Sequence, residues 1–153
     1  MTTLDEQLRQ LLEPRTASVK NRLKTIRTLA ENGIPVNVMM APIIPSLNDH
    51  EIMELIKTVA EAGATTVHYT VVRLNGDVAA IFKDWLAKTY PDRAEKVLNK
   101  IEDLHGGNLY DHRIGKRMRG EGKYSEIIRQ QFHLARKKYL TGEKLPAYNF
   151  DLY

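Results

Sequence analysis

Apolar residues recur at helical spacing in two segments near the start of the chain. In the first, leucines from Leu4 to Leu12 repeat at helical intervals, and Thr3 with Glu6 has the spacing of a capping box before Pro14 ends the segment. The second begins after Ser18 and ends at Gly33, where a left-handed residue is favoured. The pattern therefore predicts two amphipathic helices in succession.

The next segments alternate between strand and helix patterns. Residues 34–41 form a mostly apolar run, which is typical of a strand covered on both faces. A helical stripe then runs from Ile52 to Ala60 and ends at Gly63, and Thr65–Leu74 is rich in β-branched residues. A strand–helix–strand unit with short connections has parallel strands and a right-handed crossover. We therefore expect an α/β fold.

The chain changes character after Leu74. Residues 1–75 are expected to hold the parallel β/α units, and residues 76–140 a helical extension that contains a Gly/Arg-rich loop at 105–123. Residues 141–153 form a tail with several aromatic side chains. Two or three parallel strands leave both sheet edges open, which predicts either a larger assembly or pairing with a second copy.

Composition narrows the class of protein. With 42% hydrophobic and 27% charged residues, the chain is of ordinary globular composition. It shows neither a membrane-spanning run nor a signal peptide, so a cytoplasmic location is expected. Cys is absent, which excludes disulfides, a cysteine nucleophile and all-cysteine metal or cluster ligation by these residues.

Basic residues are concentrated in one part of the chain. Residues 105–138 contain nine Lys or Arg and three acidic residues, although the net charge of the whole chain is only +4. This asymmetry predicts an anionic ligand or nucleic acid, and the alternative is a solvated basic face. Neither a nucleotide P-loop nor a nucleophile elbow is present. The candidate anion-binding residues are Arg113, Lys116, Arg117, Arg119 and Lys123.

Polar residues follow both predicted strands. Ligands of parallel α/β units bind beyond the carboxyl ends of the strands. Residues 41–49 and 72–77 should therefore share one rim, joined by Thr2 and Thr3 if a strand precedes them. Asn48 either contacts a ligand there or only caps a helix. His68 is either structural or part of a polar-lined interior, and no metal site or catalytic residue is predicted.

The order of several short motifs resembles that of radical S-adenosylmethionine enzymes of the spore photoproduct lyase-like, DNA repair photolyase-related group. The motifs are Thr2-Thr3-Leu4-Asp5, Leu12-Glu13-Pro14-Arg15-Thr16, Gly33-Ile34-Pro35-Val36, Ala41-Pro42-Ile43-Ile44-Pro45, Leu47-Asn48-Asp49, Gly106-Gly107, Leu109-Tyr110-Asp111 and Arg117-Met118-Arg119-Gly120-Glu121-Gly122. Their order, rather than any single motif, carries the resemblance.

This resemblance implies the C-terminal part of a partial (β/α)6 TIM-like barrel. The full-length enzymes hold a [4Fe–4S] cluster on three cysteines and reductively cleave S-adenosylmethionine to a 5′-deoxyadenosyl radical, in lyase-like chemistry that for some relatives takes place on DNA. Polar contacts to the cofactor would come from Thr2 and Thr3, and its carboxylate would meet Arg15 or Arg22. Further implied contacts are Ala41, Pro42, Asn48, Val72, Arg73 and Leu74.

The leading hypothesis is therefore a radical-enzyme fragment that contributes cofactor and substrate surface. Because the cluster cysteines and the first strands are absent, the chain alone should bind neither group tightly and should not be catalytic. Its expected partner is the missing N-terminal half-barrel. The alternatives are a basic nucleic-acid-binding module, which would bind through residues 113–123 and the last helix, and a partner-dependent scaffold that self-associates through its sheet edges.

Overall fold

The structure, a computed structural model, describes residues 1–142, 147, 150 and 151. The predicted tail (141–153) therefore lies mostly outside the described residues. Six α-helices, two strands and a short 3-10 turn are present in the described part. In chain order they are α1 (Glu6–Leu12), α2 (Val19–Glu31), β1 (Asn37–Ile43), the 3-10 turn (Asp49–Glu51), α3 (Ile52–Glu61), β2 (Thr66–Val71), α4 (Asp77–Thr89), α5 (Pro91–Leu104) and α6 (Gly122–Tyr139).

The helices begin and end where local chemistry favours it. Asp5, rather than the expected Thr3, caps α1 by accepting hydrogen bonds from the backbone N–H groups of Gln7 and Leu8. Ser18 caps α2 as expected. Gly63 adopts a φ of +98° after α3, and a Cβ there would meet the Cβ of Ala30 at 2.5 Å. This glycine therefore permits both the turn and the close approach of α2 to α3.

The two strands form one parallel pair, as the sequence predicts. Asn37 is in register with Thr66 and Met40 with Tyr69, and the register shifts between Met40 and Ile43. Since α3 connects β1 to β2, this is the expected β-α-β unit. The mixed α/β class is confirmed.

One face of the sheet is covered and the other is open in the described part of the chain. Val38, Met40 and Val67 are buried in a core completed mainly by α3 and α6. On the opposite face, Asn37, Met39 and His68 are exposed. The expectation that β1 is covered on both faces is therefore wrong for the described residues.

A second apolar cluster lies at the carboxyl end of the strands. It joins residues that follow the strands to the helices α1, α4 and α5. The buried members are Leu8, Ile44, Leu47, Val72, Leu74, Phe82, Leu86, Val97 and Ile101. Helices α4 and α5 therefore pack against the segments that follow the strands.

The predicted partial TIM-like barrel is wrong. The described sheet has only two strands, and irregular segments occupy part of both edges. The backbone nitrogen of Met1 donates to the Met39 oxygen at 2.5 Å beside β1. On the outer edge of β2, Val71 N donates to the Met118 oxygen at 2.9 Å. Because the Gly/Arg-rich loop takes a hydrogen bond that a next strand would make, the β/α pattern does not continue.

Candidate functional site

Asn48 organises the rim at the carboxyl end of β1. Its side chain is fully buried, and its Oδ1 accepts from Ile44 N at 2.6 Å. Its Nδ2 donates to the backbone oxygens of Thr2 at 2.9 Å and Pro42 at 3.0 Å. The 3-10 turn that follows has no side-chain cap from this residue. Asn48 is therefore neither a simple helix cap nor a free ligand donor, but a link between two chain segments.

Thr2 and Thr3 are both buried at this rim and point to different carboxylates. Thr2 Oγ1 donates to Glu13 Oε1 at 2.7 Å and lies 3.0 Å from the Ala41 oxygen. Thr3 Oγ1 lies 2.8 and 2.7 Å from the two carboxylate oxygens of Glu51. Glu51 was not among the site residues predicted from the sequence.

Glu13 connects Thr2 to a basic side chain. Its Oε2 forms a 2.7 Å ion pair with Arg22. Burial disfavours the charged form, but the hydrogen bonds from Thr2 and Arg22 outweigh it, so the pKa of Glu13 is below its usual range. Arg22 is thus engaged with protein rather than free for a cofactor carboxylate. Arg15, the other candidate for that role, is exposed in the segment between α1 and α2.

The end of β2 meets the Gly/Arg-rich loop. Val72 N donates to the Ile43 oxygen at 2.9 Å, and the Val72 oxygen lies 2.7 Å from His105 Nε2. Leu74 N donates to the Leu109 oxygen at 3.0 Å, while Arg73 is half-buried. The backbone groups expected to meet an adenine are therefore bonded within the chain.

His105 has an unusual environment. It is 2% exposed, and because a carbonyl can only accept, its Nε2 carries the hydrogen that bonds Val72. Its Nδ1 is buried and has no hydrogen-bond partner among the described residues. No sequence pattern predicts this contact, which joins residues 33 positions apart.

Two of the predicted anion-binding residues are used within the loop. Arg113 forms ion pairs with Asp111 at 2.6 Å and Glu121 at 2.5 Å, and Lys116 pairs with Glu121 at 2.8 Å. Hydrogen bonds from the side chain and backbone of Arg113 lower the pKa of Asp111 to about 2. Of the other candidates, Arg117 and Lys123 are exposed and Arg119 faces a groove.

That groove, the basic groove, lies between β2 and α6 and has a volume of about 580 Å³. The described residues around it are mostly polar or basic, and four of them are Lys or Arg. Its lining includes Thr65, Thr66, His68, Tyr69, Arg119, Arg129, Phe132, His133, Arg136 and Lys137. Sequence reasoning singled out Arg119 and assigned nucleic-acid contacts to the last helix as a whole. It did not single out the α6 residues of this groove, although their spacing of three and four positions marks one helix face.

The structure therefore separates the predicted site residues into two places, which are the rim and the Gly/Arg-rich loop beside the basic groove. Thr2, Thr3, Ala41, Pro42 and Asn48 lie together at the rim, with Val72 and Leu74 beside them.

Among the described residues, no group of three or more His, Asp or Glu side chains is arranged to hold a metal ion. No helix in the described part of the chain has both the length and the apolar character needed to cross a bilayer.

Comparison with known proteins finds relatives without an assigned function. No family model matches the chain, and no solved structure matches it. Uncharacterized proteins of Mycobacterium tuberculosis and Mycobacterium bovis are each 28% identical over 146 residues, which cover 94% of this chain and 39% of the relative. One of Methanocaldococcus jannaschii is 33% identical over 93 residues, covering 61% of this chain and 34% of that protein. The chain spans well under half the length of these relatives.

Proposed function

We propose that this chain is part of a longer cytoplasmic radical S-adenosylmethionine enzyme and supplies one side of its cofactor and substrate surface. The observation that carries the proposal is the Asn48 contact to Thr2 and Pro42, which holds two of the predicted cofactor segments at one rim. Val72 N, bonded to Ile43, adds the end of β2 to the same rim. Parallel strands place ligands at this edge of a sheet.

The residues present fit only part of the implied cofactor site. A [4Fe–4S] cluster needs cysteine thiolates, and this chain has no Cys, so the cluster does not fit here and belongs to other polypeptide. S-adenosylmethionine would meet the rim, but Arg22, Val72 and Leu74 already bond within the chain. The remaining contribution is the shape of the rim, the exposed Arg15 and the half-buried Arg73.

The length of the relatives is compatible with this division of labour. The matched segment is 39% of the mycobacterial proteins, so a cluster in those proteins would have the other three fifths in which to reside. In the proposed assembly this chain orients the cofactor at the rim and presents Asn37 and His68 on the open sheet face. It carries out no redox step itself.

The proposal is tested first on a longer relative. The Mycobacterium tuberculosis protein, reconstituted anaerobically with iron and sulfide, should show iron–sulfur absorption and release 5′-deoxyadenosine from S-adenosylmethionine after reduction. A protein that takes up no cluster and releases no 5′-deoxyadenosine would make the proposal wrong. S-adenosylhomocysteine, which lacks the cleavable sulfonium bond, is the matched control.

A second experiment uses the chain itself. Titration of the ¹⁵N-labelled chain with millimolar S-adenosylmethionine should shift amide signals near Thr2, Ala41 and Asn48, with weak affinity because the other side of the pocket is missing. Shifts confined to α6 would argue against the rim as the cofactor surface.

Nucleic-acid binding is a second candidate function, favoured by the basic groove. Its four Lys and Arg side chains belong to the Gly/Arg-rich loop (Arg119) and to α6 (Arg129, Arg136 and Lys137) rather than to the cofactor rim. Binding to single-stranded or duplex DNA should weaken steeply with salt, since released counterions drive such association. The absence of affinity above background at low salt would exclude this candidate.

A further inference from the structure

Four cationic side chains line the basic groove, one from the Gly/Arg-rich loop (Arg119) and three from α6 (Arg129, Arg136 and Lys137). Arg129, His133, Arg136 and Lys137 occupy one face of α6, at successive intervals of four, three and one residues. Across from them lies the outer side of β2, with His68. Of the described residues that line the groove, none is acidic. Such a collection of like charges is more stable with an anion between them.

Few carboxylates offset these charges. Arg129 pairs with Glu126 on the same helix at 2.5 Å, and both side chains are largely exposed. No ion pair is seen for Arg119, Arg136 or Lys137 within the described part of the chain. In contrast, Arg113 and Lys116 in the Gly/Arg-rich loop are both neutralised. Arg119, Arg136 and Lys137 of the groove are therefore available to an anion, whereas Arg113 and Lys116 are not.

The backbone around Arg119 is fixed on two sides. Its own carbonyl oxygen accepts from Ser125 Oγ at 3.0 Å, which ties it to the first turns of α6. The preceding carbonyl, of Met118, accepts from Val71 N at 2.9 Å, which ties it to β2. The backbone at Arg119 is therefore held between the edge of β2 and the start of α6.

An aromatic pair forms the apolar part of the groove. Tyr69 and Phe132 lie with ring centroids 4.5 Å apart. Burial raises the pKa of Tyr69, against the opposing effect of the Arg119 and Arg129 guanidinium groups, so the phenol keeps its proton at neutral pH. The groove thus combines cationic side chains with a neutral hydroxyl donor beside an aromatic surface.

We propose that the basic groove binds phosphate groups, with Arg119, Arg129, Arg136 and Lys137 as the principal contacts. Guanidinium groups bond phosphate oxygens in pairs, whereas a lysine adds a point charge. The volume of about 580 Å³ suits a nucleotide-sized unit. The phosphate comes either from a free nucleotide or from the backbone of a nucleic acid. Only the second source rests on the nucleic-acid function proposed above.

The test compares two charge-matched triple variants of the whole chain. The groove variant carries Arg129→Gln, Arg136→Gln and Lys137→Gln, and the control carries Lys20→Gln, Lys24→Gln and Arg27→Gln on exposed positions of α2. The probes are inorganic pyrophosphate, adenosine monophosphate, a ten-nucleotide oligothymidylate and the corresponding duplex. Amide shifts report the site, fluorescence anisotropy reports the affinity of the oligonucleotides, and circular dichroism checks that each variant is folded.

Pyrophosphate should shift the amides of Arg119, His133 and Arg136 in the parent and the control but not in the groove variant. If the source is a polymer, the oligonucleotide affinity of the groove variant should fall at least about tenfold, and its salt slope by about two to three. The single variant Arg119→Gln, outside α6, should give a smaller loss in the same direction.

The outcomes separate the two ideas. Pyrophosphate shifts at the groove without oligonucleotide affinity would support the groove and exclude the nucleic-acid function. Oligonucleotide binding that is equal in both triple variants would overturn the inference that the basic groove binds phosphate. The nucleic-acid function would then remain, at another surface. No pyrophosphate shift in the parent, or equal shifts in the folded parent and groove variant, would overturn the inference.

Discussion

The side-chain amide of Asn48 donates to the backbone oxygen of Thr2, 46 residues earlier, at 2.9 Å. A second bond from the same nitrogen reaches Pro42, so one buried side chain joins the segment before α1 to the end of β1. Because the amide is fully buried, water cannot replace these contacts. Residues that a sequence places far apart thus share one polar contact at the proposed cofactor rim.

Replacing Asn48 with Ala should lower the free energy of unfolding by about 3 kcal/mol, because it leaves the Ile44 N–H and two carbonyl oxygens without partners in a buried place. Urea denaturation followed by circular dichroism measures the loss. Asn99→Ala, at an exposed position of α5, is the control and should change stability by less than about 0.5 kcal/mol. Equal effects of the two changes would contradict the importance of the rim contact.

Gly63→Ala should be more harmful than Gly33→Ala. Both glycines have positive φ, +98° and +72°, but only at Gly63 would the added Cβ meet another atom, that of Ala30. Backbone strain alone costs about 1 kcal/mol, and overpacking adds about 1–3 kcal/mol. Thermal unfolding of the two variants separates the cost of backbone strain from the cost of overpacking. Similar melting temperatures would show that α2 and α3 move apart easily.

The stability of the Gly/Arg-rich loop should depend on acid pH through Asp111. Its pKa is lowered to about 2 by Arg113, so the folded state favours the carboxylate. The stabilisation is complete above the ordinary aspartate pKa of about 3.9 and is lost as the pH falls toward 2. The difference in urea midpoint between the parent and Asp111→Asn should therefore be constant from about pH 7 to 5 and shrink below about pH 4.

The exposed Asp103 provides the control for this experiment. Asp103→Asn should leave both the stability and its pH dependence close to those of the parent. A parent–Asp111→Asn difference that persists unchanged at pH 2.5 would show that the Asp111–Arg113 pair does not act through its charge.

Tyr124→Phe should loosen α6 from the rim. The Tyr124 hydroxyl donates to Asp49 in the 3-10 turn, and Lys100 Nζ lies 3.3 Å from the same hydroxyl. Burial and the Asp49 contact raise the pKa of Tyr124, so the bond persists through neutral and mildly alkaline pH. We expect a loss of about 1–2 kcal/mol in the free energy of unfolding.

Hydrogen exchange gives a local measure for Tyr124→Phe. Amides of α6 should exchange faster, whereas those of α5 change less. Tyr110→Phe, at an exposed loop position, is the matched control. Faster exchange throughout the chain in both variants would contradict a local role for Tyr124.

Local pattern was sufficient for the β-α-β unit. The β-branched and apolar runs, the stripe of α3 and the glycines after α2 and α3 are short-range signals, and each has its expected place. Short-range signals could not decide whether the sheet continues into a barrel, because the number of strands depends on which segments pair with the outer edges of the sheet. There, Met118 and Leu109 are found instead of a strand.

The candidate site divides in the same way. Parallel strand ends must lie at one edge, so the rim residues from Thr2 to Asn48 could be grouped from sequence. Their internal partners could not, because Glu13 and Glu51 approach Thr2 and Thr3 only after the chain folds. The α6 cations show helical spacing in sequence, but their position opposite β2 depends on the packing of Phe132 against Tyr69.

The Met118–Val71 contact has a consequence for the order of folding. During synthesis β2 leaves the ribosome long before its partner residue 47 positions later, and until then part of the strand's edge has unpaired amides. A chain that stops before residue 118 should therefore expose an unpaired strand edge that is prone to aggregation and should precipitate, even though both strands and α3 are present. Dependence on chaperones should end only once Met118 has been synthesised and can pair with β2.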